Sequence, residues 1–153
     1  MNGVKCVSRK LAFDVYNMDT KVGRVELNGL RLIKNEMYFD SKEYRFPFMI
    51  NPFYSLTDPY IIWDYIESRV VPANRANIGE ILQIYDMDEY DAIELAKKTH
   101  AVNCDDMFWF KFDDVPDDHK TWRDLNPRRA QIAKLCFNNR YLEKYKSIFK
   151  KGY

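Results

Sequence analysis

The chain has 153 residues, a length that suits one domain with a hydrophobic core of its own. It carries 24 basic and 23 acidic residues, and its three cysteines are too scattered for a disulfide framework or a zinc finger. No apolar run approaches the roughly 18 residues of a membrane-spanning helix, and residues 1–10 lack the apolar centre of a signal peptide. We therefore expect a soluble, cytoplasmic protein that makes no membrane contact.

The first third of the chain predicts β-strands. Apolar and polar residues alternate over 11–16, which is the period of a half-buried strand. A second apolar run covers 22–27, and a third covers 30–33. Asn28-Gly29 between these two runs is a strong hairpin signal, with both turn residues at positive φ. The pattern predicts an antiparallel meander, with a short edge strand at 37–39.

The middle third predicts three helices, each opened by a capping residue. The predicted starts are Asp58-Pro59, Asn77-Ile78-Gly79-Glu80 and Asp91-Ala92-Ile93-Glu94. Pro72 is expected to end the first helix. The second has a stripe of apolar side chains typical of a core-facing helix, namely Ile78, Ile81, Leu82 and Tyr85. Residues 107–112 are too short and too aromatic for a helix and predict a strand that returns to the sheet.

These elements predict an α+β fold, in which a small antiparallel N-terminal sheet packs on the three middle helices. Residues 1–125 form this domain. Asn126-Pro127 is another helix start, and residues 126–153 are predicted to be a basic helical C-terminal extension of the same domain.

Charge is distributed in blocks. Residues 85–118 contain eleven acids and three lysines, whereas residues 126–153 contain eight bases and one glutamate. In one interpretation the tail folds back on the acidic stretch and the charges cancel within the molecule. In a second, the acidic stretch binds a basic groove of a partner. In a third, the tail binds a nucleic-acid backbone. The tail bases are Arg128, Arg129, Lys134, Arg140, Lys144, Lys146, Lys150 and Lys151.

Catalytic chemistry has little support in the sequence. His100 and Cys104 are four residues apart, but two histidines in the whole chain are a poor supply for acid–base work. The paired aspartates between 105 and 118 do not match a calcium loop, and no glycine-rich phosphate loop occurs. We predict no catalytic residue, no metal site and no cofactor. A small metal-dependent enzyme remains an alternative.

Four segments of the first third resemble the N-terminal subdomain of HipA-type toxin kinases. They are Phe13-Asp14-Val15-Tyr16, Lys21-Val22-Gly23, Tyr38-Phe39-Asp40 and Ile50-Asn51-Pro52-Phe53. In that family a β-rich module opens with a DVY…VG hairpin and continues with an F-x-Y strand and an ISP segment. The family's kinase part has no counterpart in this chain. The resemblance therefore implies a free-standing relative of the regulatory module, whose role is protein binding.

Residues 63–112 are similar to small proteins of Gram-positive bacteria and their mobile elements, some of them found near HipA-like kinases. The shared patterns are R-x-x-P-x-x-R-x-N-I, here residues 69–78, and YD…E…TH…DD-x-FW, here residues 90–109. Together the two resemblances cover residues 11–112. The second implies partner-contact residues, which are Arg69, Arg75, Asn77, His100, Asp105, Asp106 and Trp109.

We predict a non-enzymatic protein-binding module that modulates or inhibits a larger protein or protein–nucleic acid complex. Such a partner is a toxin kinase or, by analogy with anti-CRISPR proteins of phages, a host defence complex. The acids expected to meet it are Asp113, Asp114, Asp117 and Asp118. Direct nucleic-acid binding through the tail is the alternative from another class, and the sequence leaves the oligomeric state open.

Overall fold

The structure, a computed structural model, describes residues 9–38, 51–103 and 105–127. The predicted α+β class is confirmed, since a four-stranded antiparallel sheet is combined with several helices. The strands are β1 Lys10–Asn17, β2 Thr20–Asn28, β3 Arg31–Met37 and β4 Phe108–Phe112. The helices are α1 Pro59–Glu67, α2 Ile78–Ile84, α3 Ala92–Thr99 and α4 Trp122–Leu125. The helical extension predicted for 126–153 lies outside the described residues from 128 onward.

The sheet has the strand order β3-β2-β1-β4, and every pair is antiparallel. The first three strands form the predicted meander, and β4 returns to the free edge of β1. Phe13 on β1 lies opposite Val25 on β2 and Phe112 on β4. Because successive side chains of a strand alternate between faces, this register brings the apolar residues of all three strands to one face.

The second hairpin corrects a prediction. Asn28 belongs to β2 and pairs with Arg31, so the two turn residues are Gly29 and Leu30 rather than Asn28 and Gly29. Gly29 has a φ of 60°, and Asn28 is not in the left-handed region. A glycine with positive φ at the first turn position is the type II′ geometry, which also matches the twist of the strands. Leu27 is buried and lies opposite Leu11 of β1.

The core lies between the sheet and two helices. Phe13, Phe110 and Phe53 are fully buried, and the Phe13 and Phe110 rings stack with centroids 4.9 Å apart. From α1, Trp63 is fully buried and its indole N–H donates to the Gly29 carbonyl at 2.7 Å. From α3, Ile93 joins the same cluster. The aromatic residues of the sequence therefore serve the core in large part.

Helices α1 and α3 begin as predicted. The Asp58 side chain accepts a hydrogen bond from the Tyr60 amide, and the Asp91 side chain accepts from the amides of Ile93 and Glu94. Helix α1 ends at Glu67, before the predicted end at Pro72.

Helix α2 differs from its prediction in two respects. Asn77 stands at its N-cap, but the side chain makes no capping hydrogen bond, so the predicted capping box is absent. None of the residues of α2, all of which the structure describes, is buried. Two of the three middle helices cover the sheet, and the predicted core stripe of α2 is not part of the core.

Helix α4 was not predicted. The Asp124 carboxylate accepts a hydrogen bond from the Thr121 amide at 2.9 Å, and the Trp122 amide donates to Asp19 Oδ1 at 3.2 Å. This short helix therefore attaches to the β1–β2 turn. Within the described part of the chain, no helix has both the length and the apolar character needed to cross a bilayer.

Candidate functional site

Arg69 lies inside the fold, with 5% of its surface exposed. Its guanidinium donates to both carboxylate oxygens of Asp106, at 2.7 and 2.8 Å. It also donates to the carbonyls of Ala101 at 2.7 Å and Phe108 at 2.9 Å. Burial opposes its charge, but the hydrogen bonds and the charge of Asp106 prevail and raise the pKa of Arg69. All of these groups belong to the chain itself, so this predicted contact residue acts here as an internal connector.

Trp109 is also occupied within the fold. It is 5% exposed, its ring stacks on Tyr16 with centroids 4.5 Å apart, and its indole N–H donates to the Met18 carbonyl at 2.5 Å. His100 stands edge-on to the Trp109 ring and is 8% exposed. Its Nε2 atom lies 3.4 Å from Asp118 Oδ2, and its Nδ1 atom has no hydrogen-bond partner among the described residues. The structure brings His100 and Trp109 together, and both are largely covered.

The aspartates that follow β4 are paired with bases of the described domain. Arg24 donates to both carboxylate oxygens of Asp113, at 3.0 and 2.6 Å, which lowers the pKa of Asp113. Asp114 receives a hydrogen bond from Lys97 at 2.5 Å. These pairs tie the segment after β4 to strand β2 and helix α3.

Asp117 and Asp118 are engaged in the same way. Lys111 donates to Asp117 at 2.8 Å, and together with the His119 amide it lowers the pKa of Asp117. Partial desolvation works against the charge of Asp118, but the Lys120 amide and the adjacent bases lower its pKa on balance. Carboxylates already bound to internal bases are less available to a basic groove of a partner.

The remaining predicted contact residues are exposed, and they lie in two places. Arg75 and Asn77 precede α2, where the Arg75 Nε–H donates to the Asn77 side chain at 3.1 Å. Asp105 lies in the turn before β4. Asp106 binds Arg69, not Arg75, so the two arginines of the shared sequence pattern have different roles.

The sequence prediction missed the surface formed by α2, which we call the α2 surface and define as residues 78–89. Ile84 is 76% exposed, the highest value among the exposed large hydrophobic side chains of the described chain. Ile81, Leu82 and Tyr85 are half-buried. The sequence did contain a signal for this surface. Helix α2 and its C-cap residue carry five large apolar side chains in eight positions, which is more than one face of the helix can bury.

The α2 surface also carries acidic residues, which are Glu80, Asp86, Asp88 and Glu89. All four are exposed. Their carboxylates form no hydrogen bond or ion pair with any residue that the structure describes, in contrast to those of Asp113, Asp114, Asp117 and Asp118. Within the acidic stretch 85–118, the acids after β4 are therefore paired, whereas Asp86, Asp88 and Glu89 have no partner among the described residues.

Several predictions concern residues without a structural description here. The eight tail bases and Cys104 are outside the described ranges, so nucleic-acid binding through the tail stays a prediction. Within those ranges no group of three or more His, Cys, Asp or Glu side chains is arranged to hold a metal ion. The absence of a functional metal site in the whole protein remains a prediction as well.

These features define an α+β protein with an antiparallel β3-β2-β1-β4 sheet, two covering helices and an exposed apolar helix between them. Comparison with protein-family models, with curated proteins and with solved structures finds no match for the chain. The resemblance to HipA-type proteins stays a prediction.

Proposed function

We propose that this protein is a non-enzymatic binding module that modulates or inhibits a larger protein or protein–nucleic acid complex, and that the α2 surface is its contact site. The observation that carries the proposal is the exposure of Ile84 on a helix with no buried residue. An apolar helix that adds nothing to the core needs another reason to be apolar, and protein partners bind such patches.

Several features around α2 support this proposal. The segment that contains α2 lies between α1, which Asp58 caps, and α3, which Asp91 caps. Both of these helices pack on the core and hold the two ends of the segment there. The Tyr90 hydroxyl donates to the Val71 carbonyl at 2.8 Å, which draws together the two ends of 71–90. A segment closed at its base in this way presents α2 at a defined position, and a pre-positioned contact loses less entropy on binding.

The test is an Ile84→Ser variant compared with Ile33→Ser, which changes an isoleucine of similar chemistry that is 52% exposed on β3. Partners are captured with the wild-type protein from the cells that make it, purified, and titrated by calorimetry against the wild type and both variants. We expect Ile84→Ser to weaken binding at least about tenfold and Ile33→Ser to leave it within about twofold. Equal affinities of all three proteins for every purified partner would refute the α2 surface as the contact site.

A further inference from the structure

We infer that the partner of the α2 surface presents a basic protein surface with an apolar centre. This inference rests on the proposed function and adds the chemistry of the occupant to it. The apolar side chains of α2 define the site, and the charges around them select what fits there.

The charges of the α2 surface have one sign. Residues 76–90 contain four acids and no lysine, arginine or histidine. Glu80 precedes Ile84 by four positions, so the two side chains are neighbours on the helix surface. Asp86, Asp88 and Glu89 follow in the turn directly after the helix. The most exposed large hydrophobic side chain of the described chain therefore has acidic neighbours, which is the charge complement of a basic rim around an apolar centre.

Glu80 lies in the first turn of α2, where the helix dipole favours an acid, but folding does not account for the other three acids. Asp86, Asp88 and Glu89 follow the C-terminal end of α2, where the helix dipole favours cations rather than anions. Asp86 adopts a φ of 55°, and its amide donates to the Gln83 carbonyl while the Met87 amide donates to the Leu82 carbonyl. This pattern is the Schellman motif, whose left-handed position is normally a glycine. Asp86 stands against both preferences, and Asp88 and Glu89 stand against the first. Without a basic partner among the described residues, these carboxylates fit a cationic group of a partner.

The other acids provide the comparison within the same molecule. Asp91 caps α3 and binds Arg9, and Asp106 binds Arg69. Asp113 and Asp117 bind Arg24 and Lys111. An acid with an internal base is explained by the fold, so the α2 acids, rather than those after β4, are the ones available to a partner.

The probes are three labelled amphipathic helical peptides that share a leucine stripe and differ only in their polar residues, which are lysine, glutamine or glutamate. Binding to the full chain is followed by fluorescence anisotropy over a range of salt concentrations. The quadruple variant Glu80→Gln, Asp86→Asn, Asp88→Asn, Glu89→Gln removes the unpaired charges. Its matched control, Asp113→Asn, Asp114→Asn, Asp117→Asn, Asp118→Asn, removes the same number of charges from the paired segment. Circular dichroism establishes that each variant is folded.

We expect the lysine peptide to bind the wild type best, and less tightly as salt rises, because the charges are exposed and screened within about 8 Å at physiological ionic strength. The α2 quadruple variant is expected to bind it about tenfold more weakly with a flatter salt dependence, and the control variant within about twofold of wild type.

Two results would overturn the inference and leave the proposed function intact. The first is that all three peptides bind with equal affinity and that Ile84→Ser weakens the binding of each. The second is that the affinity for the lysine peptide falls tenfold in the control variant instead of in the α2 quadruple variant. Concentration-dependent self-association that Ile84→Ser abolishes would assign the surface to a second copy of this chain and would also overturn it. If the affinity for the peptides is the same in Ile84→Ser as in the wild type, the result would count against the proposed function itself.

Discussion

The guanidinium of Arg69 joins two parts of the chain that are distant in sequence. It connects the segment after α1 with the Ala101 carbonyl after α3, with Asp106, and with the Phe108 carbonyl at the start of β4. The Cζ atom of Arg69 also lies 5.0 Å from the centre of the Phe110 ring. A buried charge of this kind is tolerated only because its hydrogen-bonding groups meet acceptors in the required directions.

We expect Arg69→Met to lower the free energy of unfolding by about 3–5 kcal/mol, because two buried carbonyls and Asp106 lose their donor. Arg69→Lys should recover only part of this loss, since a single ammonium lacks the planar fork. Urea unfolding followed by circular dichroism is the measurement. Arg75→Met is the matched control and should change stability by less than about 0.5 kcal/mol, because Arg75 is exposed. If Arg69→Met lowers the free energy of unfolding no more than Arg75→Met does, the hydrogen bonds of Arg69 contribute little to stability.

The paired aspartates predict how stability depends on pH. Hydrogen bonds from Arg24 and Lys111 lower the pKa values of Asp113 and Asp117 in the folded state. A lowered pKa in the folded state contributes stability that is present above the ordinary carboxyl pKa of about 4 and is lost as pH falls through the folded value. Stability should therefore decrease from about pH 5 downward, with a smaller slope in the double variant Asp113→Asn, Asp117→Asn. Identical slopes for variant and wild type in urea titrations at several pH values would contradict this.

At the scale of elements, two glycines have opposite roles. A Cβ at Gly23 on β2 would lie 2.6 Å from the Glu36 carbonyl oxygen on β3 and would overlap the side chain of Asn51. Asn51 is buried and donates to that same carbonyl, so it has little room to move. A Cβ at Gly79 on α2 would meet nothing within 4 Å. The first glycine is required for close packing, and the second only weakens a helix.

We expect Gly23→Ala to lower the free energy of unfolding by about 1–3 kcal/mol through overpacking. Gly79→Ala should stabilise α2 by about 0.5–1 kcal/mol, because alanine loses less backbone entropy in a helix. Urea unfolding measures the first effect, and slower amide hydrogen exchange in residues 81–85 measures the second. If the amide hydrogen-exchange rates of α2 are the same in Gly79→Ala as in the wild type, Gly79 does not limit the stability of the helix.

At the scale of the whole molecule, the described domain contains a closed core. Among the described residues, those that are apolar and buried lie between Leu11 and Trp122, and Asp113 and Asp114 after β4 pair with bases of the same range. The interpretation in which a folded-back tail neutralises the acidic stretch is thus narrowed, because Asp113, Asp114 and Asp117 are already paired with Arg24, Lys97 and Lys111.

We expect that a chain lacking residues 126–153 still folds cooperatively, because every residue found buried in the described part of the chain is retained. Urea unfolding should show a single transition with a steep, protein-like slope. A truncated protein that is insoluble or unfolds without cooperativity would show that the tail belongs to the core.

The nucleic-acid alternative makes a separate prediction for the tail. If its bases bind a phosphate backbone, mixed-sequence DNA or RNA is retarded in a gel shift, and neutralising Lys144, Lys146, Lys150 and Lys151 reduces the salt dependence. Under the proposed function we expect no shift at physiological salt. Tight, salt-sensitive retardation would favour the alternative.

The sequence alone predicted the features that depend on neighbours a few residues away. Alternation over 11–16 predicted β1, and Asp58 and Asp91 predicted the starts of α1 and α3, because caps and strand faces are set by local geometry. The aromatic run at 107–112 predicted β4 for the same reason. The hairpin turn was misplaced by one residue because Asn-Gly and Gly-Leu both fit a two-residue turn, and strand register decided between them.

Only the tertiary structure decided which side chains meet. Arg24 and Asp113 are 89 positions apart, and they meet because β4 adds to the edge of β1 next to β2. The same arrangement lets α1 and α3 cover the sheet and leaves α2 outside the core, so that its predicted stripe is only half-buried and Ile84 is exposed. Helical periodicity reports that one face is apolar, but whether that face is covered depends on the space that remains after the other elements have packed.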